Sequence, residues 1–560
     1  MAFVVTQRCC NDASCLSECP VDCIRPRPED PDFATAEMLY IDPQTCIDCG
    51  ACADACPVDA IYSEDELPAG MQRYAEVNAD YFERHPLDAK MIQPAPPGRV
   101  AKELGTLRVA IIGAGPAAAY AAEELMRRAD VEVEMIDRLP APHGLVRAGV
   151  APDHAGTKAI TTMFEATARH GGFRYLLNVE AGKHISHAEL MEYHHGVIYA
   201  VGAAADRSLG IPGESLPGSH SAGEFVAWYN GHPDYADRVY DLSGERAVIV
   251  GNGNVAIDIA RVLTLDPDEL ARTDIADHAL AALRDSKIRE VVLLGRRGPV
   301  QAAYTSPEFL ALQRLPGVDV IIDESELELD PASRAALDDP YTEPSTHLKV
   351  ELAREYSQRP QDPDRKRIVF RYLVSPVEVL GTDRVGGLTI VRNELTESGG
   401  DLVPQPTDRT ETIATSLLLR SVGYRGQPVP DLPFDESRHI VPNERGRVTA
   451  ADGTPMTGVY VTGWIKRGPR GVIGTNKACA QETVAGLLDD FAAGKLPAPR
   501  HDRRTLHALL AVRQPDLIDG SGWRAIDAAE RERGKQNGRP RVKFVSVADM
   551  LAASRGRLPA

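Results

Sequence analysis

Nine of the ten cysteines in this 560-residue chain lie between Cys9 and Cys56; the tenth is Cys479. A chain of this length has room for about three to four domains and large apolar cores. Nine thiols in the first tenth of a chain expected to be cytosolic point to metal rather than disulfides. The spacing selects the metal. Zinc sites use two separated pairs, whereas Cys46-x2-Cys49-x2-Cys52-x3-Cys56-Pro57 is the bacterial iron–sulfur run. In that run three thiolates wrap one cluster and the fourth reaches over to another. The required mate lies upstream as Cys15-x3-Cys19-Pro20, and the same template extends back through Asp12 to Cys9. Cys19, Cys46, Cys49 and Cys52 therefore give four thiolates to a [4Fe–4S] cluster. Cys9, Cys15 and Cys56 give three to a second site. Its last corner is left to the Asp12 carboxylate or to nothing, which favours [3Fe–4S]. Cys10 and Cys23 are left over and read as small buried thiols. Cys10 is an alternative to Cys9, and a second [4Fe–4S] cluster is the alternative at that site.

Met71, Tyr74, Val77, Tyr81 and Phe82 recur at three- and four-residue steps, predicting a helix that caps this module before Pro86. Residues 89–105, with Pro94, Pro96, Pro97 and Gly98, read as a linker.

Two nucleotide-binding patterns follow. Leu107 to Gly113 reads as a buried strand running into Gly113-x-Gly115-x-x-Ala118 and an Ala-rich helix. Glycine lets the backbone approach a pyrophosphate, and the helix N-terminus faces its charge. A second strand ends in Asp137, where a carboxylate binds ribose hydroxyls. The pattern recurs at Gly251-Asn-Gly253-Asn-Val-Ala256, but the next strand ends in Gly295-Arg296-Arg297-Gly298. Two arginines there suit a 2′-phosphate and hence NADP. Residues 266–287 read as an insertion in the crossover. The first unit is then left for FAD, and a flavin can split a hydride's two electrons for one-electron clusters. Val459 to Trp464 reads as a strand and turn, and Gly471-Val472-Ile473-Gly-Thr-Asn starts a helix through Ala485. Cys479 is alone there, so dithiol chemistry is excluded.

The formal charge is 62 − 81 = −19, and residues 1–88 hold 18 Asp and Glu against five Arg. An acidic head disfavours nucleic acid and suits a basic protein partner. No 18-residue apolar run and no leader-like N-terminus are present, so no membrane span and a cytoplasmic location are expected.

The head resembles seven-iron bacterial ferredoxins over residues 2–86, through Ala-Phe-Val-Val-Thr, Cys19-Pro-Val-Asp-Cys23, Tyr40-Ile-Asp-Pro and Asp65-Glu-Leu-Pro-Ala-Gly-Met-Gln-Arg-Tyr. Its Cys9–Cys15 spacing is two residues shorter than usual. From about 106 to 475 the chain resembles adrenodoxin-reductase-type ferredoxin–NADP reductases. Matching stretches include Gly144-Leu-Val-Arg-x-Gly-Val-Ala-Pro-Asp-His154, Gly295-Arg-Arg-Gly-Pro299 and Gly463-Trp-Ile-Lys-Arg-Gly-Pro-x-Gly-Val-Ile473. Together the parts resemble the actinobacterial ferredoxin/ferredoxin–NADP reductase fusions. The resemblance implies FAD at Gly113, Gly115, Ala117, Asp137, Leu145, Ala181, Trp464, Gly471, Val472 and Ile473. It implies NADP at Asn252, Gly253, Asn254, Val255, Arg296, Arg297, Glu308 and Gly471. A second glutamate frequent in the family is Ala311 here. His154 is the one titratable group expected near the flavin, with loop fixing as its alternative role.

The expected architecture is an α+β ferredoxin-like iron–sulfur domain (1–88), the linker (89–105) and two α/β doubly wound, Rossmann-like domains. The NADP-binding domain (211–375) interrupts the FAD-binding domain (106–210 and 376–490), and 491–560 forms a C-terminal helical extension. The expected activity is that of a ferredoxin–NADP reductase. NADPH gives hydride to FAD, and single electrons pass through clusters to a separate ferredoxin or another one-electron acceptor, such as a haem-thiolate monooxygenase system. Lys466, Arg467, Arg470 and Lys477 read as a basic docking face for the head or as solvated surface. Rival readings are an electron-input subunit of a larger oxidoreductase, as in glutamate synthase, and a non-enzymatic iron–sulfur redox sensor.

Overall fold

The computed structural model describes residues 2–87, 100, 102–398 and 401–556. Most of the expected linker therefore lies outside the described residues; Lys102–Leu104 is a 3-10 turn.

The body is built on two sheets. Leu107–Ile112 lies between Val131–Asp137 and Gly196–Tyr199, all parallel. Phe173–Leu177 extends that sheet on one side; Pro455–Val461, Arg447–Thr449 and Asn443–Glu444 extend it on the other. Near-continuous apolar runs such as Val109 to Ile111 are fully buried because helices cover both faces. The second sheet has six strands: Ser219–Ser221, Leu417–Arg420, Arg246–Val250, Glu290–Leu294, Lys366–Arg371 and Val318–Ile322, in that spatial order. The crossover between its third and fourth strands carries helices Pro267–Leu270 and Asp277–Arg284, in the span read as an insertion.

One expected boundary is corrected. Residues 376–490 are expected in the FAD-binding part, but Leu417–Arg420 pairs in parallel with Arg246–Val250. Val374–Leu380, Gly387–Ser398 and Asp401–Ala414 form an antiparallel sheet leading into that strand. The chain returns to the first sheet only after Arg420, and pairing across 170 residues leaves no local signature of this in the sequence. Helices Arg503–Arg513, Gly520–Gln536 and Val547–Ser554 close the chain.

The head contains two small antiparallel pairs, Phe3–Val5 with Ile61–Ser63 and Ile24–Arg25 with Tyr40–Ile41. The predicted helix runs Arg73–Arg84. Its buried Asn78 ties both pairs together. The Val5 and Ile41 amides donate to Asn78 Oδ1 at 3.1 and 3.0 Å, and Nδ2 donates to Val5 O and Tyr74 O. Head and body share cores: Tyr74 and Phe82 belong to the apolar cluster of Phe309, Leu310 and Leu352, while Cys10, Val58 and Ala60 belong to that of the first sheet.

Candidate functional site

The two glycine turns are built alike. Gly113 (φ 102°) donates its N–H to Ile136 O, and Gly251 (φ 116°) donates to Leu294 O. A Cβ at Gly113 would lie 2.6 Å from Ala200 O, and one at Gly251 would lie 2.1 Å from Ser421 O. Both positions therefore require glycine. Gly115 and Gly253 start helices Pro116–Arg128 and Asn254–Thr264 in the same extended conformation, without a side-chain cap. Uncapped amides at the carboxyl ends of parallel strands suit a pyrophosphate.

The residue after each second strand differs. Asp137 follows Ile136 in the first unit, and its carboxylate accepts from the amides of Ala114 (2.7 Å) and Leu139 (2.8 Å). Burial raises its pKa, with these two amides opposing the shift. Gly295 follows Leu294 in the second, and Arg296 and Arg297 come next, exposed and half-buried. Their turn is pinned by Asn393 Nδ2 donating to Arg296 O and by Leu373 N donating to Arg297 O.

Other predicted positions gather at the first cleft. His143 N donates to Ala114 O, and a Cβ at Gly144 would meet the Gly115 Cα at 3.0 Å. Leu145, in the short helix that follows, is 45% exposed. Gly463 approaches Ala117 so closely that a Cβ would sit 2.6 Å from the alanine methyl. Trp464 stacks on Tyr424 at 5.7 Å. Val179 N donates to Asp137 O, placing Ala181 at the same strand end. Gly471 (φ 83°), Val472 and Ile473 lead into helix Thr475–Ala492, and Asn476 Nδ2 donates to the carbonyls of Val472 and Ile473. Cys479 is buried, and Gly463 N donates to its Sγ at 3.3 Å.

The cleft between the units holds a charge network that the sequence did not signal. Arg261, buried, forks onto Asp153 (2.8 and 3.0 Å) and also meets Asp258 and Glu308. Burial opposes ionisation of Asp153, yet Arg261 and His154 hold it down to about 2. Burial pushes Asp258 up to about 6 despite Arg261. His154 Nε2 lies 3.9 Å from Glu308 Oε2, so the expected redox-side histidine and the expected NADP-side glutamate meet. Asn254 and Thr305 exchange two hydrogen bonds, which tie the second glycine turn to the segment carrying Glu308.

In the head, one cavity is lined by Cys19, Cys46, Cys49 and Cys52, the four cysteines assigned together, and by Cys23. The Sγ atoms of Cys23 and Cys19 are 3.5 Å apart. Hydrogen bonding from Cys23 lowers the Cys19 thiol to about 6, whereas burial with Cys46 and Cys19 nearby pushes Cys52 up to about 12. The second group is equally coherent. Burial pushes Cys9 up to about 12, with Cys56 and Asp12 adding to it, and the neighbours that raise Cys15 include Cys9, Asp12 and Cys56. Clustered thiols on tight loops fit iron–sulfur ligation. Asp12 is engaged: Ser14 N and Oγ donate to its carboxylate, and Lys477 Nζ lies 3.6 Å away.

That lysine belongs to the helix following Gly471–Ile473, so the head sits on the turn that starts this helix. Gly474 N donates to Cys10 O at 2.7 Å, and a Cβ on Gly474 would fall 2.1 Å from the Asn11 carbonyl carbon. On the other side Arg73 pairs with Glu351 and Glu355, Lys349 and Ser306 N reach Glu37, and Gln7 Nε2 donates to Glu308 at 3.1 Å. The expected basic docking face is thereby corrected. Lys477 meets the head, but Lys466 is buried against Glu482 and the Cys479 carbonyl, and Arg467 turns to Asn476.

Two dinucleotide turns, one acidic and one followed by arginines, with paired thiol clusters packed against the first, define a pyridine-nucleotide-dependent iron–sulfur flavoprotein class. Comparison with known proteins agrees. Residues 107–297 match the family model described as pyridine nucleotide-disulphide oxidoreductase, and residues 39–62 match a 4Fe-4S binding domain. A "Probable ferredoxin/ferredoxin–NADP reductase" of Mycobacterium tuberculosis is 49% identical over 99% of this chain and 95% of its own. The "NADPH-ferredoxin reductase FprA" of Mycobacterium leprae is 47% identical over 80% of this chain and 98% of its own. The structure of Mycobacterium tuberculosis FprA in complex with NADPH superposes with a TM-score of 0.76 at 45% identity, covering 81% of this chain and all of that one. The chain belongs to the ferredoxin/ferredoxin–NADP reductase family. No helix among the described residues is long and apolar enough to cross a membrane.

Proposed function

We infer that the chain takes hydride from NADPH and passes single electrons through its own iron–sulfur head to a separate protein acceptor. The observation that carries this reading is the 2.7 Å hydrogen bond from Gly474 to Cys10, which seats the three-thiolate loop on the flavin-side turn. When bound, FAD takes up a hydride's electron pair and releases it one electron at a time. The protein's part is to bind, align and exclude water. Gly113, Gly115, Ala117, Asp137, Leu145, Ala181, Trp464 and Gly471 to Ile473 would hold FAD. Asn252 to Val255, Arg296, Arg297, Glu308 and Gly471 would hold NADP, the arginines on the 2′-phosphate. His154 is the candidate titratable group beside the reacting rings, its Nε2 facing Glu308.

Cys19, Cys46, Cys49 and Cys52 would bind a [4Fe–4S] cluster. Cys9, Cys15 and Cys56 would bind [3Fe–4S], a reading supported by the engagement of Asp12 with Ser14 and Lys477. The NADP-binding unit is proposed to span 211–420 within FAD-binding segments 106–210 and 421–490, followed by the helical extension 491–560. The head is proposed as residues 1–88.

Gly474 has ordinary helical dihedrals (φ −68°), so only its closeness to Asn11 demands glycine. Gly474→Val tests the reading in the holoenzyme by anaerobic mixing with NADPH. The ratio of cluster reduction rate to flavin reduction rate should fall, because a side chain at residue 474 forces the Asn11 backbone away from this turn. An unchanged ratio, with iron and flavin content retained, would overturn it.

A further inference from the structure

Seating the head on its three-thiolate side leaves the other cluster site facing outward. Cys49 is exposed, whereas Cys15, Cys19 and Cys52 are buried. Beside it Ile47 is 57% exposed, the one large apolar side chain left so open among the described residues of the head. Asp48 lies between these two in the chain, and Glu18 and Asp54 lie within two residues of Cys19 and Cys52; all three acids are exposed.

No cation of the head balances them, because all five are committed elsewhere. Arg25 and Arg27 are buried and paired with Asp22. Arg73 pairs with Glu351 and Glu355 of the body, and Arg84 reaches the Thr342 carbonyl and His347. Arg8 lies against Gly156. The exposed residues next in the chain to this site's cysteines are therefore one large apolar side chain and three carboxylates. Electron-transfer encounters use such small surfaces, with complementary charge setting the on-rate and little buried area needed.

We propose that the surface of Glu18, Ile47, Asp48, Cys49 and Asp54 is the electron outlet, and that it docks a basic one-electron acceptor protein. The inference rests on the proposed function: electrons enter at the Cys9–Cys15–Cys56 site and leave one at a time at the Cys19–Cys46–Cys49–Cys52 site. Each electron delivered reduces one acceptor metal centre by one unit, and the pair is supplied by oxidation of one NADPH.

The test uses the full-chain holoenzyme with cytochrome c, a basic haem protein, as probe. One variant combines Asp48→Asn with Asp54→Lys. Asparagine is chosen because residue 48 has φ 57°, a region asparagine tolerates. A second variant is Ile47→Ser. The control combines Glu76→Lys and Glu83→Lys, exposed positions on helix Arg73–Arg84 and remote in sequence from every cluster cysteine. At low ionic strength the outlet charge variant should reduce cytochrome c roughly tenfold more slowly, with the difference fading as salt is added. Ile47→Ser should slow it at every salt concentration, and the control should lose less than about twofold. An equal loss in the control would show that net charge alone acts and would overturn the proposal. An unchanged rate in the outlet variants would place the exit elsewhere. EPR of the same samples after anaerobic NADPH separates the two readings. If the clusters fill but the rate ignores the outlet charges, the outlet fails alone. If they do not fill in the unaltered protein, the proposed function fails and the outlet with it.

Discussion

Asp137 and Gly295 occupy the same place in two copies of one turn, each following the residue whose carbonyl accepts from the first glycine. That substitution, with Arg296 and Arg297 behind it, is the strongest local argument for which coenzyme each unit takes. Each charged contact to a 2′-phosphate contributes roughly 1.5–3 kcal/mol. Replacing both arginines by alanine should therefore lower kcat/KM for NADPH by about two orders of magnitude or more and spare NADH. Steady-state kinetics with both coenzymes checks this, and equal kcat/KM for NADPH and NADH in the unaltered protein would contradict it. At this scale the sequence was most legible where chemistry dictates spacing, as in the two thiol groups. It was least legible for Lys466, which reads as a surface cation but points inward to Glu482 and the Cys479 carbonyl. A solvated lysine and a buried, paired one share the same one-letter context, because the partner lies 16 residues away.

Among the elements, the helix Arg73–Arg84 shows how far periodicity carries and where it stops. Its apolar spacing predicts the helix and its capping role. Nothing in the pattern marks Asn78, whose side chain serves the amides of Val5 and Ile41, 73 and 37 residues distant. Asn78 is 1% exposed. Asn78→Leu would leave two buried amides unsatisfied, at about 1–3 kcal/mol each. The head should lose its clusters at lower temperature or denaturant than the body loses flavin. Parallel thermal scans of iron–sulfur and flavin absorbance measure this; coincident and unshifted transitions would contradict it. The same limit explains the strand Leu417–Arg420. Its apolar run is evident, but its pairing with Arg246–Val250 is long-range, so the run alone does not say which sheet it joins.

In the whole molecule, the head is wedged against both nucleotide units rather than held at a distance. Apolar contact with Phe309 and Leu310, ion pairs at Glu37 and Arg73, and the Gly474–Cys10 bond all act at once. A chain beginning at Leu104 should still bind flavin and reduce ferricyanide with NADPH. It should also expose the apolar surface around Leu310, melt several degrees lower and lose most cytochrome c reduction. Calorimetry and acceptor assays would show this, and full cytochrome c activity in the shortened chain would contradict it. The placement of the head was not legible in the sequence, since interfaces between units are made of ordinary core and surface residues.

Electrons are proposed to enter at the three-thiolate site and leave at the four-thiolate site, an order that freeze-quench EPR after anaerobic mixing of the holoenzyme with NADPH reads out. The three-iron signal proposed for the Cys9–Cys15–Cys56 site should change first, in step with flavin reduction, before any change at the four-thiolate site. Reduction of the four-thiolate cluster ahead of the other, or a three-iron site still oxidised after the flavin is reduced, would contradict it.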